Sequence, residues 1–159
     1  MFVTNGRRHM KILTLVFLAV AGVFSSALAQ DVRPFEPIDA QDTTLEDLKW
    51  VSRPILLFAM RPDDPQIVRQ LEMLQEQWPA LVARDVVVVV DTDPTAESDV
   101  RIAIRPHGFM MVLMDKDGTI AQRKPHPWSA RELIRAIDKM PLRLEEEKER
   151  RVVNPRALQ

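Results

Sequence analysis

Residues 54–90 read PILLFAMRPDDPQIVRQLEMLQEQWPALVARDVVVVV, and this stretch decides the architecture. After Pro54, the run from Ile55 to Met60 is apolar on both alternating faces, the pattern of a strand covered on both sides. Asp63-Asp64-Pro65 then joins an N-cap aspartate to a proline at the first helical position, a strong helix start. Ile67, Leu71, Leu74 and Trp78 follow at spacings of four, three and four, the stripe of an amphipathic helix, which Pro79 is expected to end or kink near Trp78. Arg84-Asp85 leads into Val86 to Val90, five β-branched residues in succession and the most strand-like segment of the chain. Strand, helix and strand with short links predict a parallel crossover.

Downstream, Pro94 and Pro106 punctuate the stretch from Asp91 to Gly108, where Val100, Ile102, Ala103 and Ile104 fit a short helix. Phe109 to Met114 is a third apolar strand, and Lys116-Asp117-Gly118 is a tight-turn signal. Thr119 to Lys124 is apolar only at Ile120 and Ala121, so it reads as a sheet edge protected by charge. Ser129 and Glu132 form a capping box with Trp128 and Leu133 at staple positions, and Leu133, Ile134, Ile137 and Met140 supply the apolar face. Pro141 is expected to end that helix. Arg143 to Arg151 is a charge run, with Glu146–Arg150 and Glu147–Arg151 at helical spacing, expected to be a solvated extension. Residues 152–159 are expected to be loose.

Upstream, residues 31–42 hold Pro34, Pro37 and few apolar side chains, an extended lead-in. Thr43 and Glu46 have capping-box spacing for one helical turn ahead of Trp50. Further back, Arg7, Arg8 and Lys11 precede an uncharged apolar run from Ile12 to Phe24, which closes on Ala27-Leu28-Ala29. These are the parts of a cleavable signal peptide over residues 1–29, with cleavage before Gln30. The run of about 13 apolar residues is too short to span a bilayer, so no stable membrane anchor is expected after cleavage. Met10 begins a complete signal by itself and competes with Met1 as the start. Export to the periplasm or beyond follows.

Residues 1–29 carry three basic residues and no acidic one, so the 22 Lys plus Arg fall to 19 against 23 Asp plus Glu, near −4. That balance offers nucleic acid and anionic lipid nothing to bind. The remaining 130 residues suit one domain whose core stands without disulfides. With no Cys in the sequence, thiol nucleophiles, thiolate metal ligands and lipid attachment at a cysteine are all excluded.

The order of elements implies an α/β, thioredoxin-like fold: a central mixed four-stranded sheet with flanking helices, strand-helix-strand and then a hairpin and a C-terminal helix. The domain is expected over 44–143, between a lead-in at 30–43 and a charged tail at 144–159. In thioredoxins the redox pair sits where this chain has Asp63-Asp64-Pro65-Gln66, and a cis-proline precedes the third strand where this chain has Gly108, Phe109 and Met110. Several residues also resemble one family. Leu48-Lys49-Trp50 with Arg53, Asp63-Asp64, Gln70, Arg84-Asp85, Lys116-Asp117-Gly118, Trp128 and Ile137 to Arg143 are similar to the pattern of the bacterial domain-of-unknown-function family numbered 4174. The resemblance implies an exported, thioredoxin-like or peroxiredoxin-like domain and assigns no activity.

Two stretches imitate an aspartyl-nucleophile motif. Asp91-Thr92-Asp93-Pro94-Thr95 and Asp115-Lys116-Asp117-Gly118-Thr119 would supply nucleophile and general acid to a metal-assisted phosphate hydrolase. The further strands that such an enzyme needs are missing, and turns explain both stretches. Asp115 to Gly118 is also half a calcium loop without its closing Glu. His107 and His126 stand beside prolines and read as turn residues. No catalytic residue, metal site or cofactor is assigned on these grounds. The reading that remains is a non-catalytic module binding an envelope protein or a small ligand. Its surface is expected at the carboxyl ends of the parallel strands, with Asp63, Asp64, Gln66 and Phe109 as candidate residues, and its acidic loops favour a cationic or metal-bearing partner.

Overall fold

A computed structural model describes residues 32–153. The signal-peptide reading of residues 1–29, the choice between Met1 and Met10, and residues 154–159 lie outside the described residues. Among those described, no helix is long and apolar enough to cross a membrane.

The strands are β1 (Ile38–Asp39), β2 (Arg53–Phe58), β3 (Val86–Asp91), β4 (Met110–Met114) and β5 (Ile120–Lys124), in the order β1-β3-β2-β4-β5. β2 and β3 pair in parallel, β4 runs antiparallel to β2, and β5 runs antiparallel to β4. This is a thioredoxin-like sheet with one strand more than the expected four. The extra strand comes from the lead-in, where Ile38 and Asp39 pair in parallel with Val89 and Val90 outside β3. Two residues between prolines and a turn carry no periodicity, which is why the sequence hid it.

Among the described residues six α-helices flank the sheet: α1 (Leu45–Leu48), α2 (Pro65–Glu76), α3 (Trp78–Val82), α4 (Asp99–Ile104), α5 (Ala130–Ile137) and α6 (Pro141–Val153). Side chains alternate across a strand, so the apolar runs feed two cores. Ile55, Leu57, Val86, Val88, Met111 and Leu113 face one side, where α2, α3 and α5 deliver Ile67, Leu74, Leu81, Leu133 and Ile137. Leu56, Phe58, Val87, Val89, Val112 and Met114 face the other, covered by Leu48 of α1 and by Val100 and Ile104 of α4.

Two local expectations shift, and a third, the break near Trp78, holds. The capping box before α1 is Thr44 with Asp47, one residue later than Thr43 with Glu46, since Thr44 Oγ1 and the Asp47 carboxylate satisfy each other's backbone N–H. α2 stops at Glu76, and Pro79 sits in the first turn of α3, where its missing N–H is harmless. Pro141 likewise opens α6 instead of only closing α5. Between α1 and β2 the chain turns through Trp50, which holds a left-handed φ of 63° while 65% exposed.

Candidate functional site

The pairing of Phe58 with both Asp91 and Met110 brings the loops after β2 and β3 and the segment before β4 to one end of the sheet. Here lie the four candidate residues. Asp64 caps α2, its Oδ1 accepting from the Gln66 N–H at 2.8 Å. Asp63 is exposed and pairs with Arg61 at 3.0 Å, next to the exposed Met60. Gln66 is half-buried, whereas Phe109, only 6% exposed, points into the core that holds Ile67. The structure thus brings Asp63, Asp64 and Gln66 together and gives Phe109 to packing, where its apolar ring belongs.

In the second loop Asp91 is 4% exposed and consumed by Arg101, whose Nε and Nη2 donate to Oδ1 at 2.9 and 2.6 Å, while Ser98 Oγ donates to Oδ2. Arg101 Nη2 also reaches the Ala59 carbonyl at 3.0 Å, tying the ends of β2 and β3. Asp93 accepts from the Thr95 hydroxyl and N–H, and these bonds hold its carboxyl below the usual range. Arg61 and Arg101 therefore neutralise one carboxylate in each of the loops read as acidic. Asp91 has neither the free oxygen nor the exposure a nucleophile needs.

Because β4 runs the other way, Asp115 stands at the opposite end of the sheet, where an ion network closes the structure. Arg53, wholly buried, donates Nε to Asp115 Oδ1 at 3.0 Å, Nη1 to the Arg84 carbonyl and to Glu146 Oε2, and Nη2 to Glu146 Oε1 at 3.0 Å. Lys116 Nζ bridges Asp85 at 2.7 Å and Glu146 at 3.0 Å. Arg84 grips Asp138 with two bonds, and Arg143 holds Glu147 at 2.6 Å. Burial pushes the Glu146 carboxyl up, but the bonds and charges of Arg53 and Lys116 outweigh it and leave its pKa at about 2. Burial lowers the Lys116 ammonium, and Asp85 and Glu146 more than restore it, raising its pKa. Asp117 only caps its own turn through the Thr119 N–H.

The charge run is thus no solvated extension at its start: Glu146 turns inward to Arg53 instead of outward to Arg150, which pairs with Glu147. One signal was available in the sequence. An arginine opening an otherwise apolar strand demands a buried anion, although nothing local says which. Gln70 is another buried member of the motif set, and its amide clamps both the N–H and the carbonyl of Trp128.

Hollows among the described residues include a groove and a polar recess. A groove of about 510 Å³ between β5 and α5 has Ala121, Trp128, Ala136 and Met140 in its lining, with Arg135 and Lys139 beside them. A polar hollow of about 340 Å³ beside α1 and α4 is lined by Asp42, Asp47, Glu97 and Asp99. Asp47 there is already engaged by Thr44. Among the described residues no group of three or more His, Asp or Glu is placed to hold a metal ion, and both His107 and His126 are exposed.

The profile of the family described as "Domain of unknown function (DUF4174)" matches residues 44–146, ending on the glutamate that closes the Arg53 network. Solved structures with a similar course include the reduced 2-Cys peroxiredoxin of Plasmodium vivax, at 15% identity over 66% of this chain and 84% of that one, TM-score 0.47. A structure described as that of a malarial protein matches at 17% identity over 55% of this chain and 96% of that one, TM-score 0.44. The mitochondrial 2-Cys peroxiredoxin from Plasmodium falciparum matches at 14% identity over 72% of this chain and 86% of that one, TM-score 0.40. No curated protein matches the sequence.

Proposed function

The chain belongs to the DUF4174 family, a domain of unknown function, and from that premise we propose that it is a non-catalytic binding module on a thioredoxin-like scaffold. It works after export, in the periplasm or cell envelope, with a protein or small ligand as its partner. The observation that carries this reading is the start of α2. A helix N-terminus following the first central strand is where unpaired N–H groups could activate a thiolate or hold an anion. Here the chain's own Asp64 carboxylate occupies that place, and the sequence contains no cysteine. Asp91 and Asp115, the two acids suited by position to nucleophilic work, are each spent on an arginine, Asp115 on the buried Arg53 and Asp91 on the partly buried Arg101. What remains at this end is surface on which a partner can settle: the exposed Met60, the exposed Arg61–Asp63 pair and the half-buried Gln66.

The test uses the exported protein in envelope extract, crosslinked in wild-type form and as Asp63→Lys. Asp63 is chosen over Asp64 because removing the cap would itself cost about 1 kcal/mol. A Glu145→Lys, Glu149→Lys variant, altered on the exposed side of α6, serves as control. A partner lost from Asp63→Lys and kept by the control supports the reading. The opposite pattern sinks it. N-terminal sequencing of the same material should begin at Gln30, as cleavage of the signal peptide requires.

A further inference from the structure

The groove between β5 and α5 combines three properties that specify an occupant. Its floor is apolar, built by Ala121, Trp128, Ala136 and Met140. Its strand-side wall exists because the β4–β5 register shifts: Leu113 pairs with Gln122 and Met114 with Ile120, leaving Ala121 as the extra residue. That bulge sets the consecutive residues Ala121 and Gln122 along the same groove. Bulge and charge together also discourage another strand from extending this edge. An occupant therefore lies over the groove, not in the sheet.

The third property is charge. Arg135 in the last turn of α5 and Lys139 in the turn that follows it line the groove, while the nearby ion pairs run from Arg84 and Arg143 to Asp138 and include neither. Lys124 adds a third cation, its ammonium 4.6 Å from the centre of the Trp128 ring. The carboxylate in the lining, Glu132, is held by Ser129 Oγ at 2.7 Å. Two cations and one carboxylate thus line the groove, and a third cation stands over its Trp128 ring, in a protein whose net charge is −1.

We infer that this groove docks an acidic peptide segment of a partner protein. An apolar anchor side chain enters against Trp128 and Met140, and carboxylates beside it meet Arg135 and Lys139. An open surface groove suits a peptide better than a small molecule, which binds where most of its own surface can be buried. Rim charges of this kind select the partner more than they add affinity. The site is separate from the loop at Asp63.

The direct test is fluorescence anisotropy of the full chain with a short labelled peptide, a Leu-Phe pair flanked by glutamates, against the same peptide flanked by lysines. The glutamate peptide should bind tighter by about tenfold or more, and Arg135→Glu with Lys139→Glu should reverse the preference. Asp63→Lys should leave it unchanged, so that this inference and the previous reading can fail separately. Thermal melts followed by circular dichroism establish that the reversal variant is folded. Equal affinity for the two peptides, absence of binding, or an unaltered preference in the variant overturns the inference. So does dimerisation in sedimentation that the reversal variant abolishes, because the occupant would then be a second copy of this chain.

Discussion

Arg53 and Glu146, 93 residues apart, face each other with both guanidinium Nη atoms donating to the two carboxylate oxygens at 3.2 and 3.0 Å. The first residue of the central strand is thereby fastened to the second turn of the last helix. Breaking one partner of a buried pair leaves the other charge without compensation. Arg53→Met, which strands the buried Asp115 and leaves Glu146 only Lys116 and Arg143, should destabilise the protein by about 3–5 kcal/mol in urea unfolding. Glu146→Gln should lose less, about 2 kcal/mol, because Asp115 still holds Nε and water reaches part of the site.

The same pair sets an acid limit. Glu146 has a folded pKa of about 2 against an ordinary 4.5, so its contribution is complete above pH 4.5 and drains away as pH falls toward 2. Allowing for solvent screening, the loss is about 2 kcal/mol. Lys116 has the opposite sign: with its pKa raised above 10.5, its contribution is whole below that pH and declines as the pH climbs past it. Stability measured against pH should show both limbs, and Glu146→Gln should flatten the acid one. An acid limb unchanged in that variant would assign it to other carboxylates.

Trp50 invites a stabilising change. A bulky residue at φ 63° strains the backbone, and this one is too exposed for its ring to repay the strain by burial. Trp50→Asn should raise stability by about 0.5–1 kcal/mol, since Asn tolerates the left-handed region. A lower melting temperature would mean that the ring packs on a neighbour after all.

Gln70 should be intolerant of an apolar replacement of similar size. Gln70→Leu leaves the Trp128 N–H and carbonyl without their partner, a loss of about 2 kcal/mol. The near-ultraviolet circular dichroism should change with it, because the ring just before α5 would no longer be held.

Phosphatase assays with Mg²⁺ should stay at background. The informative variants are Asp93→Asn and Asp117→Asn, which alter exposed turn caps and spare the buried Asp91 and Asp115 that hold Arg101 and Arg53. Hydrolysis well above background that these changes remove would revive the aspartyl-nucleophile reading.

The sheet was legible in the sequence because burial on both faces writes itself as unbroken apolar runs, Ile55 to Ala59 and Val86 to Val90. The helix starts were legible because Asp64 and Ser129 act within three residues of themselves. What escaped was whatever depends on distant partners. Ile38 and Asp39 become a strand only through Val89 and Val90, and Glu146 turns inward only because Arg53 awaits it. The candidate residues divide in the same way. Asp64 was placed by its local role, while the burial of Phe109 and the groove beside Trp128 arise from packing between segments far apart in the chain.

The position of β2 has a kinetic consequence. Its six residues are all buried and it is paired on both sides, so its amides are shielded until the sheet itself comes apart. Deuterium uptake should therefore run from the margins inward: β1, two residues long, and β5, bordering solvent, exchange by local fraying, while Ile55 to Phe58 exchange only as fast as the whole domain opens. The slowest of these amides become a built-in gauge of global stability, readable without denaturant.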